Sequence, residues 1–349
     1  MKTNSMLYIT VIALLFASCE NEIPFEKKES SPKLAVNAMI DINSENNYIF
    51  LSKTGKNDVD SINNATINIY INGVLKEQLT TPQPPEIDFN SYDYMNKKYQ
   101  TDLRFNPGDK VKIEVFADNN KYHAWAEDII PNPLEIENID TMTYLNKKGT
   151  YSMRLKTTFT DFPNEKNFYR LVLVQKRSFL SKSVEEGVEN LYIDEYEDAI
   201  PMETQQDIVL NDGRVLTDDD IIPKIENNYT IFDDTRLNTT YTMTTSIYSR
   251  SSISFYDYDH WFFHGLFERA SLEYKVHLIS ISEMQYYYLK ALNVITSSSY
   301  NEYISMPVAY PSNVKGGVGL VGFSAGTYKS ITLPDFIPYT GYGGGYYPK

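Results

Sequence analysis

Ala65-Thr66-Ile67-Asn68-Ile69-Tyr70-Ile71-Asn72-Gly73-Val74-Leu75-Lys76-Glu77-Gln78-Leu79 reads as two strands and the turn that joins them. Apolar side chains recur at every second position through Ile71, the period with which side chains alternate across a strand. Asn72 and Gly73 both tolerate positive φ, which a two-residue hairpin turn demands. Working outward, the same period appears in Leu34-Ala35-Val36-Asn37-Ala38-Met39-Ile40 and Tyr48-Ile49-Phe50-Leu51-Ser52. It continues in Leu103-Arg104-Phe105, Val111 to Phe116 and Tyr122 to Ala126, with Asn106-Pro107-Gly108-Asp109 as a turn. Six or seven short strands over roughly 100 residues predict an immunoglobulin-like β-sandwich at 34–131. Pro131-Asn132-Pro133 marks its end, since proline cannot continue a ladder.

Residues 134–340 repeat the strand signature and predict a larger antiparallel β domain, a sandwich or a barrel. Tyr151 to Thr160, Phe168 to Val174, Thr240 to Tyr248 and Leu272 to Ile279 read as strands. Gly316 to Phe323 and Thr327 to Leu333 read as two closing strands, with a Gly-rich hairpin between them. One helix is expected over 283–296: Ser282 and Gln285 suit a capping box, and Met284, Tyr288, Ala291, Leu292 and Ile295 fall on one face. An acidic insertion is expected at 178–234. Its stretch 185–234 sets sixteen carboxylates against Arg214 and Lys224, which predicts a solvated segment with little regular structure. Residues 341–349, rich in Gly and Tyr, read as a flexible tail. The fold class is therefore mainly β with one helix in the C-terminal half.

At the other end, Lys2 precedes the apolar run Met6 to Phe16, which leads into Ala17-Ser18-Cys19. A basic start, a short apolar run and small residues before a cut make a secretory signal, here 1–18. The run is too short for a membrane span, which needs roughly 20 apolar residues. Leu15-Phe16-Ala17-Ser18-Cys19 resembles the bacterial lipobox, with Phe16 departing from the usual leucine. Cys19 is the only cysteine, so it has no partner in the chain for a disulfide or a thiolate metal cluster. The expectation is lipid on Cys19 and a polar tether over 19–33. Glu20 and Glu22 directly after the cysteine resemble the Bacteroidota signal for export to the outer face of the outer membrane.

The formal charge is −14, and loss of residues 1–18 removes only Lys2, giving −15. A polyanionic partner needs a basic stripe, so nucleic acid is not expected.

Several segments taken together carry a family likeness: Val36-Asn37-Ala38-Met39-Ile40-Asp41, Tyr99 to Gly108, Ile129-Ile130-Pro131, Phe159-Thr160-Asp161-Phe162-Pro163, Asn167-Phe168-Tyr169-Arg170 and Ile231-Phe232-Asp233-Asp234. The sharpest are Ile279 to Glu283 running into Tyr286-Tyr287-Tyr288-Leu289-Lys290, then Pro307, Ser312-Asn313-Val314 and Gly316 to Gly319. The chain resembles, over roughly residues 34–333, a Bacteroidota outer-membrane lipoprotein family of unknown function typically encoded beside TonB-dependent, SusC-like receptors. The resemblance implies a tethered accessory to nutrient uptake and carries over no catalytic or binding residues.

Several motifs carry chemical potential. Gly322-Phe323-Ser324-Ala325-Gly326 matches the nucleophile elbow, yet a strand-like segment follows it and no histidine lies after His277. His260 and His264, with Asp257 and Asp259, could be drawn as zinc ligands. Tyr258, Trp261, Phe262 and Phe263 around them read instead as a ligand or partner contact patch. Asp218, Asp219 and Asp220 are weak calcium candidates, as are Asp233 and Asp234, because they lack EF-hand spacing. Ser61 and Thr141 sit in short motifs resembling Bacteroidota O-glycosylation acceptors, for which exposed loops are expected. No cofactor is expected.

From the sequence, then, the protein is expected to be a non-enzymatic surface lipoprotein that presents or caps ligand for a TonB-dependent receptor. The alternative is an independent glycan-binding or glycan-cleaving lipoprotein.

Overall fold

Strand follows strand along the chain: β1 (Leu34–Asp41), β2 (Asn47–Thr54), β3 (Val59–Asp60), β4 (Ala65–Ile71), β5 (Val74–Leu79), β6 (Lys97–Thr101), β7 (Lys110–Ala117) and β8 (Tyr122–Ile129). Then come β9 (Ile136–Leu145), β10 (Tyr151–Thr160), β11 (Phe168–Glu185), β12 (Val188–Ile200), β13 (Ile231–Asp233), β14 (Thr240–Tyr248), β15 (Leu266–Ile281), the helix α1 (Glu283–Thr296) and β16 (Gly317–Phe336). This computed structural model describes residues 31–55, 59–84, 96–145, 151–163, 165–185, 188–214, 226–237, 239–248, 266–301 and 305–336. The fold is mainly β, with several antiparallel sheets and one α-helix in the C-terminal half of the described chain.

A long sheet runs β12-β11-β15-β16-β1-β2-β3, with β13 also pairing with β11 and β6 with β2. Two smaller sheets, β5-β4-β7-β8 and β14-β10-β9, complete the described strands. The hairpin at Asn72-Gly73 has φ of 51° and 80° at these residues, the backbone its turn requires.

Register shows which faces pack. Leu278 lies opposite Thr327 on β16, and Ile40 opposite Phe323, so Leu278, Phe323 and Ile40 share one face of the long sheet. On that face Leu34, Val36, Ile40, Ile49 and Leu51 pack against Ile67, Ile69, Ile113 and Val115 of the four-stranded sheet. Further along, Leu171, Leu173, Val276 and Leu278 pack against Leu155, Phe159 and Met243 of the three-stranded sheet. Both small sheets thus cover the same face as the outer layers of a sandwich. The helix lies on the opposite face, where Tyr286 and Leu289 meet Phe168, Ile231 and Ile281.

The first large core takes residues from Leu34 to Ile130 together with Val314, Val321 and Phe323, the second begins at Leu134, and the long sheet passes through both. β16 pairs parallel with β1 and contributes Val321 and Phe323 to the first core. On its other edge it pairs antiparallel with β15. Such close pairing needs Gly319, whose φ is +116° and where a Cβ would collide with the Val36 carbonyl oxygen.

Four readings are corrected. The two closing strands are one: β16 runs unbroken through 322–326. There the missing side chains serve close approach, since a Cβ on Gly322 would come within 3.0 Å of Gln285 and one on Gly326 within 3.1 Å of Ile279. The acidic insertion is not structureless, because β12 forms a thirteen-residue strand against β11. Its carboxylates find cations outside the counted window: Lys176 meets Glu195 at 3.0 Å, Arg177 meets Asp198 at 2.5 Å and Lys275 meets Glu197 at 3.0 Å. Beyond β12 the buried Asp207 accepts the backbone N–H groups of Val209 and Thr244 and the hydroxyl of Tyr241, which lets Val209 and Leu210 join the second core.

The helix occupies the expected residues, but without a capping box. Ser282 accepts the backbone N–H of Phe323 at 3.3 Å instead of capping α1. The buried stripe is also turned from the expected one: Gln285, Tyr286, Leu289, Ala291 and Asn293 are buried, and Tyr288 and Leu292 only partly so. Two polar residues face inward, a pattern that an apolar count does not register.

Candidate functional site

β11 changes partner along one edge, and the change opens a cleft. β13 pairs with Phe168 to Arg170, whereas β12 begins opposite Leu173. Between these ladders the Leu171 N–H bonds to the Thr230 carbonyl at 3.0 Å. The chain leaves the edge at Ile200-Pro201 and returns through 226–230, and the space between the two segments is a cleft of about 800 Å³. Arg170 to Leu173 form its floor, Ala199 to Gln205 one wall and Glu226 to Thr230 the other.

Each wall is fixed from behind. Glu203 exchanges two backbone bonds with Ser246 of β14, at 2.7 and 3.0 Å. The opposite wall hangs on paired amides: Asn227 donates to the Leu210 and Ile231 carbonyls and accepts the Ile231 N–H. Asn293 of α1 donates to the Asn227 side chain at 3.0 Å and accepts the Tyr229 N–H at 3.1 Å. Asn228 donates to Thr296, and Glu226 accepts from Ser298 at 2.6 Å. Helix α1 is therefore the support for this wall, and its inward polar residue Asn293 is the joint.

Arg170 lies on the floor, partly buried, with Ile231 and Ile279 as its cross-strand neighbours. Its Nε donates to the Tyr229 carbonyl at 3.3 Å, and its guanidinium lies 5.8 Å from the Tyr229 ring. Burial holds the guanidinium below its ordinary pKa, and the Tyr229 hydroxyl opposes that only in part. An arginine keeps its charge even so. The lining thus combines one cation, amides, hydroxyls and the carboxylates of Glu203 and Glu226 with apolar residues such as Val172, Ile200, Pro201 and Met202, a mixed surface on which a few polar groups can orient a ligand.

The chain can now be placed among known proteins. Residues 20–330 match the model of a domain of unknown function, DUF4249. The chain belongs to the DUF4249 family. No curated protein matches this DUF4249 chain.

The sequence-derived candidates are scattered. Cys19, Asp218, Asp219, Asp220, Asp257, Tyr258, Asp259, His260, Trp261, Phe262, Phe263 and His264 lie outside the described residues. Ser324 is buried inside β16, its hydroxyl 3.5 Å from the Ile40 carbonyl, and not on a strand-to-helix turn. Asp233 caps a short 3-10 turn, and Asp234 accepts the Asn167 N–H at 2.6 Å. Ser61 is exposed between β3 and β4. Thr141 is not on the exposed loop expected of it: it is half-buried within β9, opposite Leu155, because the strand extends past the motif. Among the described residues no helix is long and apolar enough to cross a membrane. Arg170 was visible only as a lone cation in the apolar run Phe168 to Val174.

Proposed function

We propose that this DUF4249 protein is a surface lipoprotein, anchored through Cys19 in the outer membrane and facing outward, that holds a polar ligand for a TonB-dependent receptor without transforming it. The observation that carries the reading is the cleft of mixed polar and apolar lining at the break in the β11 edge, braced on both walls. The lipobox-like start and the Glu20 and Glu22 that follow it support the location. Ser324, the one motif nucleophile, is occupied in the sheet.

The test is to extract the native, lipidated protein from outer membranes in mild detergent and identify what accompanies it by mass spectrometry. A TonB-dependent receptor is expected in about equal amount. Recovery of the lipoprotein alone would remove the receptor from the proposal.

One observation favours the independent glycan reading: Glu203 and Glu226 both line the cleft, and glycoside cleavage uses two carboxylates. Release of reducing ends from an oligosaccharide by the purified protein, lost in Glu203→Gln, would establish that reading instead.

A further inference from the structure

Several partly buried cations elsewhere among the described residues have carboxylate partners, whereas Lys97 bonds to the Asn63 carbonyl and Arg154 lies over the Tyr144 ring. Lys53 meets Asp118 at 3.1 Å, Lys112 meets Glu114 at 2.9 Å and Arg177 meets Asp198 at 2.5 Å. Arg170 has none. Its one protein hydrogen bond takes up Nε, and its cross-strand neighbours are the aliphatic Ile231 and Ile279. The lack of a counter-ion is notable in a chain with 46 acidic residues against 32 basic ones. A guanidinium partly withdrawn from water and without a counter-ion gives up part of its hydration, and on the floor of a cleft its open N–H groups are placed to take an anion.

Resting on the reading of this cleft as a ligand seat, we propose that Arg170 anchors a carboxylate of the ligand. With Nε bonded to the Tyr229 carbonyl, the N–H groups of the two terminal nitrogens remain for a ligand. A carboxylate offers two oxygens in one plane at the spacing of those N–H groups, so the pair forms two parallel charge-assisted bonds. Asn293 fixes the Tyr229 N–H, so the helix indirectly sets the orientation of the anchor. The same lining disfavours a phosphate: Glu203 and Glu226 repel a dianion more than a monoanion, and Arg170 is the only cation among the lining residues. Two sources of such a carboxylate fit a cleft of this size, an acidic sugar and a peptide C-terminus.

The experiment is titration calorimetry on the purified full chain with four probes: trigalacturonic acid, its methyl ester, N-acetyl-trialanine and N-acetyl-trialanine amide. One acid is expected to bind roughly tenfold to a hundredfold more tightly than its neutral counterpart, the range for a charged hydrogen-bonded pair. Whichever acid does so names the source. Arg170→Gln should bring the acid down to the neutral form and leave the neutral form unchanged. Arg170→Lys should recover only part of the difference, and Glu203→Gln should tighten the acid by removing repulsion. Equal binding of acid and neutral forms overturns the anchor while leaving the cleft as a ligand seat. Binding by neither acid overturns the proposal, whatever the receptor does in the membrane extract. Should Arg170→Gln fail to fold, the acid-to-neutral ratio of the wild type and the Glu203→Gln response still decide.

Discussion

Asp118 shows how one side chain ties two layers together. It lies between β7 and β8 at φ 50°, and its carboxylate accepts the Asn63 N–H at 2.7 Å and the Lys53 ammonium at 3.1 Å. Lys53 belongs to the long sheet and Asp118 to the four-stranded one. Burial pushes its pKa up, but the Asn63 and Lys53 bonds prevail and hold it below the ordinary carboxylate value. A depressed folded pKa means that the contribution is complete above the unfolded value of about 3.9 and is lost as pH falls through the folded one. Urea unfolding of Asp118→Asn is therefore expected to show a loss of about 1.5–3 kcal/mol at neutral pH, and a shallower decline than wild type below about pH 4. Equal acid slopes in the two proteins would show that Asp118 is not one of the groups responsible. None of this was legible in Ala117-Asp118-Asn119-Asn120, which reads only as a turn, because the partners are 55 and 65 residues away.

At the scale of elements, α1 does more than cover the sheet. Its apolar residues Tyr286 and Leu289 seat it on β11, β13 and β15, while Asn293 reaches past the sheet to the cleft wall. Replacing Asn293 by alanine leaves the Tyr229 N–H without its partner and removes one of the two bonds to the Asn227 side-chain oxygen, at a cost of about 1–3 kcal/mol. Hydrogen exchange is expected to speed up at Tyr229 and Ile231, with the amides of β4 and β7 unchanged. An unaltered Tyr229 amide would show that the wall stands without the helix. The helix was legible because Met284, Tyr288, Ala291, Leu292 and Ile295 recur with the period of a helix after a serine. Its orientation was not, because Gln285 and Asn293 took inner positions that an apolar stripe would assign to solvent.

Across the whole molecule, β16 is the strand on which both sandwich cores depend. Val321 and Phe323 fill the first core, and Ile331 packs against the second. Truncation of the fully buried Phe323 to alanine is expected to cost about 3–5 kcal/mol. Protection from hydrogen exchange should then fall together in β4 and β7 of the first core and in β10 and β11 of the second. Loss confined to β4 and β7 would mean that the two cores unfold independently.

The sequence by itself determined the β class, the hairpin at Asn72-Gly73, most strand positions and the span of the helix, because alternation, positive-φ turn residues and helix period are local properties of the backbone. The tertiary structure decided how the strands join. The parallel pairing of β1 with β16 brings together residues 283 positions apart, and no local pattern encodes it. It also decided the fate of the acidic stretch, whose cations lay outside any window centred on it. The cleft belongs to the same category, since it exists only where β13 ends and β12 has not begun. Arg170 is exceptional there because of what surrounds it, which a sequence read along one dimension does not contain.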